Sequence, residues 1–220
     1  MRRFINFLRP HPTIPMTPWR ASHQWDLSFS RICILIFGLF LFGIGDSLLI
    51  VSGLGNAPWS VLAQGISKQS SLSIGSSTLL VSTVVLALWI PLRERPGFGT
   101  LANIAVIAFA IDLGIHLFPQ QNRFIVELSY VIVGILLVGL GSAIYITCGL
   151  GPGPRDGWMT AIHRRTGVPI GRVRLGIEIV VLSAGWALGG RVGLGTALFA
   201  ALIGYSVALF FGVVSRLTHR

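Results

Sequence analysis

The sequence predicts an all-α, polytopic membrane protein in which six transmembrane helices form two inverted three-helix repeats, each with a short additional helix. Composition is the first observation behind this prediction. Hydrophobic residues make up 53% of the 220 residues and charged residues only 11%, too few charges to cover a water-soluble surface of this size. The second observation is an internal repeat at a constant offset of 96 residues, and internal repeats indicate how a fold is built.

The repeat is clearest in a motif rich in glycine and proline. Residues 53–60 have the sequence GLGNAPWS, and residues 149–156 have the sequence GLGPGPRD. The match continues without a gap on both sides of the motif. Further matches at the same offset pair Gly38, Gly43 and Gly45 with Gly134, Gly139 and Gly141, and residues 97–100 with residues 193–196. The chain is therefore interpreted as a duplicated unit.

The chain is divided into a basic, proline-rich tail at residues 1–30, a first membrane repeat at residues 31–122 and a second at residues 123–220. The two repeats together form one membrane domain. Basic residues followed by an apolar run are also typical of a signal peptide, but the run at residues 32–51 is long for that purpose. We interpret this run as a retained membrane anchor, with the tail extended and its tryptophans at the level of the lipid headgroups.

Six apolar runs approach the length of about 20 residues that a membrane-spanning helix needs. They are residues 32–51, 74–92, 101–118, 124–148, 170–188 and 194–214. Three spans in each repeat make the second copy start from the opposite side of the membrane. This arrangement predicts an inverted-topology duplication of the kind found in many transporters.

The basic residues are distributed as this topology requires. With the N-terminus inside, 14 of the 17 lysines and arginines fall on the inner side, and the outer loops hold only Lys68, Arg123 and Arg191. An excess of basic residues in short loops marks the cytoplasmic side. Both termini are therefore predicted to be cytoplasmic.

Each motif is predicted to start a short helix, at residues 58–67 and 154–165. Glycine lets the backbone turn back after a helix, and proline suits the first turn of the next one. These short helices either lie at the membrane interface as amphipathic helices or enter the bilayer as re-entrant half-helices. In the second case their N-termini can bind an anionic group. The candidate substrate-binding residues are Gly53, Gly55, Pro58, Ser60, Gly149, Gly151, Gly153, Pro154, Arg155 and Asp156.

Asp46, Asp112 and Glu178 are ionisable residues inside predicted spans, where a charge marks either a function or a specific pairing. They are candidate sites for a coupling ion. Asp46 and Asp112 both fall toward the outer side and could share a site. For Asp112 the alternative is a pair with His116, and for Glu178 the favoured interpretation is an ion pair with Arg174, four residues earlier.

Glycines give the first and fourth spans a small-residue face that permits close helix contact. We therefore predict that these two spans form the central pair. Cys33 and Cys148 lie within apolar runs without disulfide or metal-binding spacing, and we interpret them as packing residues. No metal site is predicted.

The sequence does not favour an enzyme or a nucleic-acid-binding protein. It contains no Gly-x-Ser-x-Gly motif, phosphate-binding loop or paired metal-ligand motif. The formal net charge of +10 is explained by membrane orientation, because the basic residues lie between apolar runs. We expect no cofactor and no nucleic-acid partner.

Several motifs together resemble a known family. They are Gly53-Leu54-Gly55 with Pro58-Trp59, and the runs at residues 72–75 (LSIG), 88–93 (LWIPLR), 149–157 (GLGPGPRDG) and 164–167 (RRTG). This set resembles the bacterial YczE-like membrane proteins, in the YczE/YyaS/YitT group, over about residues 30 to 215. The resemblance implies a multi-pass protein of the bacterial inner membrane. Relatives commonly have Pro-Trp-Asp in the first motif, where this chain has Ser60, so a mechanism that needs an acid at both short helices is not expected.

Two functions follow from these features. The first is a secondary transporter or exporter of a small solute, for which an anion is one candidate, with its site where the two motifs and the first and fourth spans converge. The alternative is a non-transporting scaffold or regulator that contacts a partner or anionic headgroups through the basic loop at residues 152–174. The expected partners are the lipid bilayer and a small-molecule substrate, and a homo-oligomer remains open.

Overall fold

The protein is described here by a computed structural model that covers residues 13–218. Within that range the chain forms nine helices and no strand. They are α1 (Phe29–Ser52), α2 (Pro58–Gln69), α3 (Ile74–Ala87), α4 (Trp89–Leu92), α5 (Phe98–Leu117), α6 (Phe124–Thr147), α7 (Pro154–Thr166), α8 (Ile170–Ala187) and α9 (Leu194–Thr218). Residues 1–12 of the predicted tail and residues 219–220 lie outside the described residues, so the basic residues there, Arg2, Arg3, Arg9 and Arg220, are not described.

Among the described residues, five segments are long and apolar enough to cross a membrane: α1, Ile74–Leu92, α5, α6 and α9. The predicted class, an all-helical multi-pass membrane protein, is therefore confirmed. The predicted span at residues 170–188 corresponds to α8, which is not among the five. This helix has 18 residues and contains the charged residues Arg172, Arg174 and Glu178. Length and composition alone thus support five spans.

Glycines with left-handed backbone angles turn the chain after the first and fourth predicted spans. Gly53 and Gly55 have φ angles of 73° and 113°, and their counterparts Gly149 and Gly151 have φ angles of 68° and 114°. Residues with a Cβ atom rarely adopt these angles. The two corners therefore have nearly the same backbone conformation, as the repeated sequence predicts, and each is followed by a helix with proline in its first turn.

Helices α1 and α6 form the predicted central pair. A Cβ atom on Gly45 would lie 2.7 Å from the carbonyl oxygen of Gly134, and one on Gly141 would lie 2.5 Å from that of Gly38. Gly45 and Gly141 are equivalent under the 96-residue offset, as are Gly38 and Gly134, so the two contacts are equivalent in the repeat. The absence of side chains at these positions allows the two backbones to touch, and the contact has approximate two-fold symmetry.

Each glycine corner binds the start of a helix from the other repeat. The backbone N–H of Gly195 donates to the oxygen of Leu54 at 2.8 Å, and the N–H of Gly99 donates to the oxygen of Leu150 at 2.8 Å. These bonds satisfy N–H groups in the first turns of α9 and α5, which have no partner within their own helices. The repeats are therefore interlocked and do not form two separate bundles.

The two corners lie at opposite ends of α1. Gly53 follows the last residue of α1, whereas the second corner lies beside the segment that precedes α1, because the N–H of Ala21 donates to the oxygen of Cys148 at 2.8 Å. A helix of 24 residues is ~36 Å long. The two corners are therefore separated by roughly the length of α1.

The described part of the N-terminal segment packs against the bundle and is not an extended tail. Thr17 Oγ1 donates to the backbone oxygen of Thr147 at 3.1 Å, and Trp19 Nε1 donates to Thr147 Oγ1 at 3.3 Å. The last carbonyl groups of a helix need such partners. The segment thus covers the C-terminal end of α6.

Asp26 fixes the turn that precedes α1. It accepts hydrogen bonds from the backbone N–H and the hydroxyl of Ser22 at 3.0 and 2.9 Å, and it forms an ion pair with Arg31 at 2.9 Å. The Ser22 N–H, the Ser22 hydroxyl and the Arg31 guanidinium together lower the pKa of the Asp26 carboxyl to about 2. This carboxylate therefore stays charged at neutral pH.

Candidate functional site

The short helix α2 is packed inside the bundle, and α7 is buried along one side. Seven of the 12 residues of α2 are buried, which a helix lying on the surface would not achieve. The apolar residues of the two helices belong to one cluster, together with residues of α3 and α8. This cluster contains Trp59, Leu62, Ile66, Trp158, Met159, Ile162, Val81, Val85, Val173 and Val181. The packing favours helices that enter the protein over helices that lie at the interface.

The first turns of α2 and α7 meet each other. The guanidinium carbon of Arg155 lies 4.9 Å from the ring centre of Trp59, and these residues occupy equivalent positions in the two repeats. A guanidinium at this distance is attracted to the face of the indole ring. The N-termini of both short helices therefore converge at one place.

A cavity of about 200 Å³ lies at this meeting point. It is lined by residues of eight helices, all except α4, and of the two segments that precede α2 and α7. Its polar and charged lining residues are Asp46, Ser82, Asn103, Ser142, Tyr145, Arg155, Asp156, Arg174 and Glu178. The rest of the lining is mainly apolar, which is typical of a small-molecule site with a few orienting polar groups.

Asp46 is the most deeply buried acid of the site, with 2% of its surface exposed. Ser60 Oγ on α2 donates to Asp46 Oδ2 at 2.6 Å, whereas Asp46 Oδ1 has no hydrogen-bond partner in the described structure. The second repeat has the same two residue types in exchanged positions, because Ser142 is the counterpart of Asp46 and Asp156 is the counterpart of Ser60. Asp156 is exposed and accepts a hydrogen bond from the Tyr145 hydroxyl at 3.3 Å.

Arg155 is partly buried and retains its full set of donors. Within residues 13–218 its guanidinium makes no hydrogen bond and no ion pair, and the stacking on Trp59 is its direct contact. Its charge acts on both Asp46 and Asp156. Arginine has five N–H donors in a planar fork that matches carboxylate and phosphate groups. The site therefore presents an anion-binding group to the cavity.

Asp112 does not share a site with Asp46. Its carboxylate accepts hydrogen bonds from Ser73 Oγ at 2.6 Å and from the N–H of Gly75 at 2.7 Å. It is not one of the residues that line the cavity. A carboxylate beside the first N–H groups of a helix is favourable. Asp112 therefore joins α5 to the start of α3. Its hydrogen bonds are with that segment and not with His116.

The predicted ion pair between Arg174 and Glu178 is confirmed, with 2.9 Å between Arg174 Nε and Glu178 Oε1. Both side chains also line the cavity, on its α8 wall. In the described part of the chain, no group of three or more His, Cys, Asp or Glu side chains could hold a metal ion.

The candidate residues of the two motifs separate into two groups. Pro58, Gly153, Pro154, Arg155 and Asp156 line the cavity, and Ser60 contacts it through Asp46. The remaining four glycines form the corners and pack elsewhere. Gly53 lies near Arg191, Gly55 near Gly193, Gly149 near Arg20 and Gly151 near Thr100.

Tyr145, Ser142 and Asn103 are site residues that the sequence analysis did not identify. Their side chains are common in apolar helices, and only the convergence of α5, α6 and α7 gives them a shared place. One feature of the sequence points to the stacking of Arg155 on Trp59. The 96-residue offset places these two residues at equivalent positions in the two repeats.

The two repeats differ in how their outer helices pack. In the first, α3 and α5 touch, since a Cβ atom on Gly75 would lie 2.3 Å from the oxygen of Ala108. The counterparts of these residues are Gly171 on α8 and Gly204 on α9. A Cβ atom on either would have no atom within 4 Å. The contact that closes the first repeat is therefore open in the second.

Comparison with known proteins identifies the family. Residues 29–212 match the family of unknown function DUF6198. The chain belongs to this family. No solved structure matches it.

Two relatives of this DUF6198 protein match over most of their length. It is 45% identical over 206 residues to an uncharacterized protein of Haemophilus influenzae, covering 94% of each chain. It is 30% identical over 182 residues to the uncharacterized membrane protein YczE of Bacillus subtilis, covering 82% of each chain. The resemblance to YczE-like membrane proteins is thereby confirmed.

A third match is partial. Over 118 residues the chain is 32% identical to the Na(+)/H(+) antiporter NhaA of Geobacter metallireducens. The matched region covers 53% of this chain and 27% of that protein.

Proposed function

We propose that this protein is a secondary transporter of a small anionic solute and that the cavity between α2 and α7 is its binding site. The observation that carries the proposal is Arg155, whose guanidinium has no hydrogen-bond acceptor within residues 13–218 and lies in a cavity where two helix N-termini meet. Helix N-termini attract anions, and broken helices at matching places in two repeats are typical of transporter sites. The partial similarity to an antiporter supports the same class.

The proposal includes six spans in two inverted repeats, with both termini in the cytoplasm of a bacterium and the chain in its inner membrane. Contacts within each end of the bundle support it. Arg164 pairs with Glu94, both from segments predicted inside, and Lys68 donates to the oxygen of Gly189, both from segments predicted outside. The sixth span is then α8, whose Arg174 and Glu178 neutralise each other within the protein.

Labelling from one side of the membrane tests this topology. In a Cys33→Ser/Cys148→Ala background we expect a cysteine at position 71 to react with a membrane-impermeant maleimide in intact cells. We expect a cysteine at position 165 to react only after permeabilisation. Ser71 and Arg165 are both exposed, so a difference reports sidedness. Labelling of both positions from the same side would refute the inverted arrangement.

The different packing of the two repeats supports alternating access. Asp112, Ser73 and Gly75 close one end of the first repeat, at the predicted outer side. The open contact at Gly171 and Gly204 lies in the other repeat, toward the predicted inner side. Exposed Asp156 and buried Asp46 are consistent with a cavity open on the inner side only. An inverted duplicate can exchange these two arrangements between its repeats.

Transport by purified protein tests the proposal directly. The protein is reconstituted into liposomes, and uptake of labelled sulfate, inorganic phosphate, lactate and succinate is measured with and without a proton gradient. We expect at least one of these anions to enter faster than into protein-free liposomes. If none does under either condition, the proposal is wrong.

The scaffold alternative has less support from the contacts. Of the arginines in residues 152–174, Arg155 faces the cavity, Arg164 pairs with Glu94, and Arg174 pairs with Glu178. Arg165 and Arg172 remain as exposed basic residues in that segment. Two arginines provide a small surface for a partner or for anionic headgroups, so we favour transport.

A further inference from the structure

The unpartnered oxygen of Asp46 points to a second ligand in the cavity. Asp46 is 98% buried, its Oδ2 is held by Ser60, and its Oδ1 has no donor within the described residues. A buried ionised carboxylate without partners is costly and tends to become neutral. In a protein that lines its cavity with this group, the simplest neutralising ligand is a proton.

The charged and titratable groups that face Asp46 come from three helices. They are Tyr145 on α6, Arg155 and Asp156 on α7, and Arg174 with Glu178 on α8. Arg174 and Glu178 compensate each other, and Asp156 is exposed and accepts a hydrogen bond from Tyr145. The lining residues on α2, α3, α5 and α9 add no titratable side chain. Arg155 is therefore the cationic lining residue that forms no ion pair within residues 13–218, and its charge acts on Asp46.

We propose that Asp46 binds a proton together with the anionic solute at Arg155, so that the protein couples anion movement to proton movement. This inference rests on the proposed function. When Asp46 is ionised, it repels an incoming anion and offsets the charge of Arg155. When Asp46 carries a proton, the guanidinium is available to the anion. Because linkage is reciprocal, the bound anion also favours the proton on Asp46.

The exchanged acids of the two repeats make this assignment specific. Asp156 has the hydroxyl of Tyr145 as a donor and is exposed to water, whereas Asp46 is enclosed and has a free oxygen. Asp112 lies outside the cavity with both oxygens hydrogen-bonded. Of these three acids, Asp46 is the one whose protonation changes the charge of an enclosed anion site.

Binding of sulfate and of lactate to the detergent-purified protein tests the coupling. Both probes keep their charge between about pH 5 and 10. In the wild type we expect affinity to fall up to tenfold per pH unit above the pH at which Asp46 loses its proton. Uptake of about one proton per bound anion is expected in the same range. Asp46→Asn should bind with the same affinity at every pH and take up no proton.

Two further variants control this experiment. Asp112→Asn, an intramembrane acid outside the cavity, should keep the wild-type pH dependence. Ser60→Ala removes the donor to Asp46 while leaving the acid in place, so binding should persist to higher pH because the ionised form has lost its stabilising hydrogen bond. This second variant tests the coupling even if Asp46→Asn does not fold.

The outcomes separate the two proposals. If neither probe binds at any pH and the four-anion transport assay is also negative, the proposed function fails, and the coupling fails with it. Two other results would refute the role of Asp46 while transport stands. In the first, an anion binds or is transported with an affinity that does not change across this pH range. In the second, the affinity changes with pH, but Asp46→Asn retains that pH dependence.

Discussion

Replacing Arg155 by glutamine is expected to lower anion binding and transport roughly 100-fold or more. Each charge-assisted hydrogen bond contributes about 1.5–3 kcal/mol, and a bidentate pair loses two of them. The Arg155 guanidinium has no hydrogen-bond acceptor elsewhere in the described structure, so its donors are available to a solute. Uptake into proteoliposomes and binding to the purified protein measure the loss.

Arg165→Gln is the matched control for this variant. Arg165 lies on the same helix, ten residues further on, and its side chain is exposed. The control removes the same charge from the chain without changing the cavity, so transport should stay near the wild-type rate. An equal decrease in both variants would indicate a general effect of charge and would argue against Arg155 as the anion-binding group.

Replacing Gly45 by leucine is expected to lower stability by roughly 3 kcal/mol or to prevent folding. A Cβ atom at this position would lie 2.7 Å from the oxygen of Gly134 and 2.8 Å from the backbone nitrogen of Val138. Both neighbours are backbone atoms of α6, which cannot move without separating the central pair. Thermal unfolding of the detergent-purified protein, together with size-exclusion chromatography, measures the effect.

Gly176→Leu provides the comparison. Gly176 lies on α8, and a Cβ atom there would have no neighbour within 4 Å. Both substitutions replace a helical glycine by a better helix former, so helix propensity changes equally. We expect Gly176→Leu to stay within about 0.5 kcal/mol of the wild type. Similar stability of the two variants would show that α1 and α6 do not pack closely at Gly45.

The helices and corners were predictable from the chain because their causes are local. Apolar runs define the long helices, and glycine followed by proline at residues 53–58 and 149–154 defines the corners and the starts of α2 and α7. The close contact of α1 and α6 also follows from glycine spacing. The predicted span at residues 170–188 forms α8, but length and composition do not support it as a span, since three charged residues interrupt its apolar run.

The candidate site was only partly predictable. Asp46 follows from its residue type inside a span, and Arg155 and Asp156 follow from their place in the repeated motif. The sequence also lets Asp46 and Asp112 share a site, because both fall toward the predicted outer side. In the folded protein Asp112 binds the start of α3. Tyr145 was missed because a tyrosine in an apolar helix is common in a membrane protein.

The membrane class, the duplication and the places where the backbone turns follow from the amino-acid sequence, since hydrophobic length and glycine conformation act within a few residues. The folded arrangement of the helices was needed to show which acids face the cavity, that Arg155 lies on Trp59, and that one repeat is closed while the other is open. Those features depend on packing between helices that are distant in the chain. Each such contact depends on the side chains of both helices, so two repeats with matching glycine corners pack differently.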